Sequence, residues 1–145
     1  MANATRDQEH LGIDTNVLVA YLDAEHPSHA ETEPLAGRGV ALNPTVIHEA
    51  YHTLVFKMKW EVQEASRALV AACLDEQNLF INQTLRTTRA GLRIATEHHG
   101  LGGRDALILG NLLVAKIAEL ATYDNDLLVL GKVRFGRSIL SIRRP

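Results

Sequence analysis

Short apolar runs and helix-length amphipathic segments take turns along this chain, and that alternation restricts the fold more than any other feature of the sequence. His10-Leu11-Gly12-Ile13-Asp14 is a strand-length run ending in an acid, and Thr15 to Leu22 follows at once with apolar residues at Val17, Leu18 and Tyr21, a helical spacing. Ser28 opens a second short helix through "SHAETEPLA", and Val40-Ala41-Leu42 reads as a second strand. Asn43 and Pro44 supply an N-cap and a first-turn proline for a long helix running to about Lys59. Further helices are expected at Glu61 to Glu76, Leu85 to His99 and Arg104 to Ala118, the last two separated by the breaker "HGLGG". "NLFIN", Leu120 to Asp124 and Ser138 to Ile142 complete the strands, the last of them at a sheet edge. Parallel neighbours need crossover helices, so the order predicts a three-layer α/β/α sandwich around a mainly parallel central sheet. Ligands of such sheets collect beyond the carboxyl ends of the strands.

A length of 145 residues suits one domain, 1–145, preceded by a polar leader over residues 1–9. The formal charge of -2 excludes a body held to nucleic acid by total charge, so a polynucleotide would have to be met by a local patch. Arg86, Arg89, Arg93 and Arg104 cluster in sequence, and Arg134, Arg137, Arg143 and Arg144 crowd the end. The plain reading of both runs is a solvated helix face and a soluble tail. Cys73, the one cysteine, lies in an apolar helical run and is expected in the core, which leaves no disulfide framework. "MANATRDQEH" has no apolar secretory core and no run is long enough to span a membrane, so a cytoplasmic protein without a membrane partner is expected.

Three acids fall where the ligand rim should lie. Asp14 and Asp124 end strand candidates, and Asp105 opens a helix after Gly102-Gly103. Singly, each has an ordinary explanation, because an Asp before a helix caps its first turn and suits its dipole. Jointly they repel one another, an arrangement that a divalent cation resolves. His48-Glu49-Ala50-Tyr51-His52 offers something different: on a helix, two histidines at i and i+4 around a glutamate form the zinc-peptidase signature. Glu64 or Glu76 would have to serve as third ligand, Val55 and Met58 occupy the glycine and histidine positions of the extended motif, and the three aspartates are left without a role. At about 100° per residue, Ile47, Ala50, Tyr51, Leu54 and Met58 form the apolar stripe, His48 and His52 flank it, and Glu49 points away toward the acidic rim.

The segments "GIDTNVLVAYL", "NPTVIHEAYHTL" and "GGRDALILGNLLVAKIAELATYDNDL" resemble, in order, the three acidic blocks of the PIN-domain nucleases, in particular the VapC-type ribonuclease toxins. The likeness runs from about Leu11 to Leu128 and rests on order and spacing as well as on single residues. It implies that Asp14, Glu49, Asp105 and Asp124 are the metal-coordinating catalytic acids, Asp126 an accessory acid, and Thr15, Asn16 and Thr122 supporting polar residues. Leu127 departs from the pattern, standing where the family often has an aromatic residue.

An all-oxygen carboxylate set favours Mg²⁺, or Mn²⁺, over Zn²⁺. The resemblance therefore implies metal-dependent endoribonuclease activity on an RNA substrate, with Arg104 beside Asp105 as a candidate phosphate contact, a cognate antitoxin protein as partner, and a homodimer. A zinc metallopeptidase using His48, Glu49 and His52, and a catalytically silent RNA-binding module on the same fold, stand as the alternatives.

Overall fold

The computed structural model describes residues 10–145, and the polar leader expected over residues 1–9 lies outside the described residues. β1 (Leu11–Ile13) leads through Asp14 into α1 (Thr15–Leu22). Two short helices, α2 (His29–Thr32) and α3 (Leu35–Arg38), replace the one expected there, and Pro34 begins the second. After β2 (Val40–Leu42) comes α4 (Pro44–His52), whose Asn43 cap accepts from the Val46 N–H at 3.0 Å. α5 (Val62–Leu74), β3 (Leu79–Phe80), α6 (Leu85–Glu97) and α7 (Gly103–Val114) follow. β4 (Glu119–Ala121), the short α8 (Asn125–Leu128) and a hairpin of β5 (Lys132–Phe135) and β6 (Ser138–Arg143) close the chain.

The six strands form one sheet in the order β3-β2-β1-β4-β6-β5, parallel except for β5. From β1 the chain crosses outward to β2 and β3, then returns past β1 to β4. Right-handed crossovers in opposite directions put their helices on opposite faces, so helices flank the sheet on both sides. The reversal falls between β1 and β4, where Ile13 and Ala121 are paired at the carboxyl ends of their strands. Such a switch point leaves a crevice for ligand.

Two expectations fail at the carboxyl-terminal end. Ser138–Arg143 is not the edge strand: β6 lies between β4 and β5, and β5 is the antiparallel edge. β5 escapes a sequence reading because Lys132 and Arg134 face solvent and only Val133 is fully buried; charged side chains of that kind protect an edge from further pairing. Gly136, at φ 60°, provides the left-handed residue of the tight turn that joins the two strands. Nor is the end a free arginine tail. Arg143 is in β6, and its Nε donates to Glu119, which also accepts from Arg38 Nη2 at 3.0 Å. These hydrogen bonds, that of Arg143 foremost, hold the Glu119 carboxyl below the usual range.

α7 also stops earlier than expected, at Val114 rather than Ala118. Lys116 takes φ 63°, its N–H reaches the Leu113 carbonyl, and the Ile117 N–H reaches that of Leu112 at 3.0 Å. This pair of bonds is a Schellman closure without its usual glycine, with buried Ile117 folded back on the helix end. α6 and α7 pack face to face through Gly91 and Gly110. A Cβ on Gly110 would collide with the Gly91 backbone, so only glycine permits that approach. Cys73 is half-buried rather than a core residue, because the outer side of α5, with Val70 and Leu74, is left exposed. Among the described residues, no helix is long and apolar enough to cross a membrane.

Candidate metal and substrate site

The crevice at the switch point is built around Asp14, which is only 5% exposed. Its Oδ1 accepts from the Thr15 N–H at 2.8 Å, capping α1, and its Oδ2 accepts from the Thr122 hydroxyl at 2.7 Å. Each oxygen keeps a lone pair for another partner. Burial pushes the Asp14 carboxyl above its ordinary range, and the charges of Glu49 and Asp124 push the same way, while the two hydrogen bonds oppose them.

Thr122 serves both rims of the crevice, because its hydroxyl also accepts from the Asp124 N–H at 3.0 Å. Asp124 does not lie in the strand. β4 ends at Ala121, and Asp124 caps α8 through its Oδ1 and the Asp126 N–H at 2.8 Å. Asn16 Oδ1 accepts from the Tyr123 N–H at 3.2 Å and so pins this loop to the start of α1.

Glu49 enters from α4 with its side chain 17% exposed. Oε2 accepts from the Thr15 hydroxyl at 3.1 Å, whereas Oε1 is buried, accepts no hydrogen bond among the described residues, and has the Arg104 Nε at 3.5 Å. The Arg104 side chain is 76% exposed, so this ion pair is screened and weak. Asp105 comes from the first turn of α7, and its pKa is pushed up to about 6, first by burial and then by the charges of Asp14, Asp124 and Glu49.

Asp14, Glu49, Asp105 and Asp124, with Thr15 and Asn16, therefore share one open cleft of about 520 Å³. The capping and cleft roles coexist in the same aspartates. The four acids offer only oxygen donors, burial and the charges of its three acidic neighbours raise Asp105, and Glu49 Oε1 is a buried acceptor with no hydrogen bond among the described residues; all three suit a hard divalent cation. No three His, Cys, Asp or Glu side chains among the described residues stand as a preassembled cage, so the acids would have to close on the ion as it binds. Asp126 is exposed and faces a neighbouring hollow with His98 and His99, a hollow that Asp105 also lines.

His48 and His52 lie outside the cleft. Both are exposed, their rings meet edge to face at 4.7 Å, and His52 leans on Tyr51 and Phe56. Neither shares the pocket of Glu49, and Glu64 and Glu76 are exposed.

Besides apolar Val19 and Met58, three polar cleft residues were not legible in the sequence as site residues: His26, Thr53 and Lys57. Thr53, one turn on from Glu49, follows from regular α geometry, but Lys57 depends on a departure from it. The helix expected to run to Lys59 turns π-helical at Thr53–Lys57, where the Met58 N–H bonds the Thr53 carbonyl at 2.9 Å, and Lys59 at φ 62° ends it. In a continuous α-helix Lys57 would lie about 80° around the axis from Glu49; a wider π turn, at about 4.4 residues per turn, brings it to within about 30°. Glu49, Thr53 and Lys57 thus line the cleft together, and Lys57 has no ion pair among the described residues.

The sequence matches the PIN domain family over residues 12–133. No curated protein sequence matches. The fold recurs in solved structures, among them the following two. One is VapC20 of Mycobacterium tuberculosis, described as a sarcin-ricin loop cleaving toxin, at TM-score 0.70 and 17% identity, covering 86% of this chain and 98% of that one. The other is VapBC2 of Rickettsia felis, solved on a DNA fragment from its promoter, at TM-score 0.62 and 18% identity, covering 91% of this chain and 97% of that one. A match over most of the chain makes this protein a member of the PIN-domain family.

Proposed function

We propose that this protein is a metal-dependent endoribonuclease, the toxin of a toxin–antitoxin pair. The observation that carries the proposal is the gathering of Asp14, Glu49, Asp105 and Asp124 into one cleft with Lys57 on its wall. These four acids would hold Mg²⁺ or Mn²⁺, which when bound supplies a water of lowered pKa and charge to offset the leaving oxygen of a phosphodiester. Thr122 and Thr15 fix the Asp14 oxygens toward the cleft, Thr15 also orients Glu49, and Asn16 holds the loop that carries Asp124. Lys57 and Arg104 draw the scissile phosphate toward a surface that four carboxylates would otherwise make repulsive. RNA as substrate is inferred from likeness to VapC toxins, one of which is described as cleaving the sarcin-ricin loop. A partner antitoxin is inferred from the VapBC2 neighbour, and a small adjacent reading frame whose product silences the nuclease would test it.

Incubation with a structured RNA is expected to show cleavage in Mg²⁺ or Mn²⁺, none after EDTA treatment, and full activity in the doubly substituted His48→Ala, His52→Ala protein. Cleavage that survives chelation, or that disappears with the histidines, overturns the reading. Lys57→Gln is expected to raise KM for RNA about fivefold while kcat stays within about twofold, and Lys57→Arg to restore it. An unchanged KM would remove Lys57 from the substrate path.

A further inference from the structure

α6 carries a second surface that the acidic cleft does not use. Arg86, Arg89 and Arg93 lie within about 60° of one another around its axis and all are exposed. Together with Leu85, Ala90 and Phe135 of β5 they wall a groove of about 540 Å³, room enough for a nucleotide-sized ligand. The Arg93 guanidinium stands over the Phe135 ring, 5.9 Å from its centre.

A solvated helix face would alternate charges. This one has three arginines, whose one acidic contact among the described residues is the exposed Arg93–Glu97 pair at 3.5 Å, in a chain of net charge -2. The local excess of positive charge is therefore set against the charge of the whole molecule. Leu85, 75% exposed, forms an apolar lip beside it.

We propose that this groove is a second RNA site, holding a single-stranded stretch of substrate that flanks the scissile bond; the role of that stretch rests on the ribonuclease reading. Arg86 to Arg93 spans about 10 Å along the helix, a length over which a single strand carries more than one phosphate. Arg93 and Phe135, with the guanidinium 5.9 Å from the ring centre, put two planar groups on the wall of the groove, and bases stack on guanidinium planes and aromatic rings without regard to sequence. The carboxylates of an acidic peptide would pair with the arginines but would leave the Phe135 ring without an aromatic partner. The groove is also braced to the catalytic cleft: Gly91 of α6 packs against the backbone of Ala106 and Leu107, next to Asp105. Beyond the end of α6, His98 and His99 line the hollow that reaches Asp105 and Asp126.

The test uses full-length protein carrying Asp14→Asn, so that binding is read without turnover. Anisotropy with a single-stranded RNA of about 12 nucleotides is followed from about 50 to about 200 mM salt. Replacing Arg86, Arg89 and Arg93 together by Gln is expected to flatten the slope of log K against log salt by about 2 and to weaken binding at low salt by about tenfold or more. Phe135→Leu is expected to weaken binding about fivefold with the slope unchanged. With Asp14 intact, the triple substitution raises KM for long RNA and leaves cleavage of an oligonucleotide too short to reach the groove unaltered. An unchanged slope in a triple variant that melts like its parent overturns the proposal, as does lost affinity for a poly-glutamate peptide with none lost for RNA, which would mark a protein-docking groove. Slope and affinity losses in a protein that cleaves no RNA under any metal would leave the groove standing and refute the nuclease reading instead.

Discussion

Asp14→Asn is expected to reduce RNA cleavage at saturating Mg²⁺ by at least about 100-fold in a protein that still folds. Asp14 is the acid on which the other parts of the cleft converge. Thr15 and Thr122 each donate to one of its oxygens, Thr122 links it to Asp124, and Thr15 links it to Glu49. Asparagine has the same shape, and with its oxygen toward the Thr15 N–H its NH₂ meets the Thr122 hydroxyl, which must then accept instead of donate, so at most about 1 kcal/mol of hydrogen bonding is lost. Against that stands the removal of a desolvated charge, already disfavoured by burial and by its acidic neighbours. The two effects oppose, which keeps the melting temperature within a few degrees and separates chemistry from folding. Turnover and a thermal melt on the same preparation check both halves. Activity within tenfold of the parent would mean that the reaction happens elsewhere.

Asp14 was also the easiest residue to find. β1 and β2 are apolar runs bounded by turn formers, and a strand followed at once by a capped helix leaves little freedom about where the intervening acid points. Asp124 was reachable for the wrong local reason: "LATYD" reads as a strand to its last residue, yet the ladder ends at Ala121 and a loop pinned by Asn16 delivers the acid. Glu49 followed from helical periodicity, because α4 is regular up to His52. The same periodicity misplaces Lys57, since one π turn rotates everything beyond it and leaves no trace in the apolar pattern. β5 hid behind its charges. Without β5 the arginines of α6 looked like an ordinary wet face, because Phe135, the residue that turns them into a groove, belongs to a strand the alternation did not reveal. Long-range contacts of this kind are set by sheet order, which local patterns constrain only through the crossover rules.

Asp105→Asn is expected to abolish cleavage and, at the same time, to stabilise the metal-free protein at pH 7. The folded-state pKa of Asp105 is about 6, against an ordinary value of 3.8. Between those values the folded chain holds a proton that the unfolded chain has lost, so the stabilising contribution is complete below about pH 4 and disappears as pH rises through 6. Above pH 6 the charged, partly desolvated carboxylate sits beside Asp14, Asp124 and Glu49, with only the exposed Arg104 guanidinium to offset them. Two pH units correspond to about 3 kcal/mol at most; for a side chain that still reaches solvent, about 1 kcal/mol remains, or about 3–5 °C in Tm. Melts in EDTA from about pH 4 to about pH 8 should show the variant above the parent at neutrality and the two curves merging in acid. For the parent, Mg²⁺ must displace that same proton, so its affinity is expected to fall as pH drops below 6, adding a metal titration as a second readout. A variant less stable than the parent at pH 7, or an advantage that does not change with pH, would show that Asp105 is not under repulsion. The case for a cation in the cleft would then lose its electrostatic support, because a site that strains without its ion and relaxes when one acid is neutralised is what separates a cation-binding cleft from a chance gathering of helix caps.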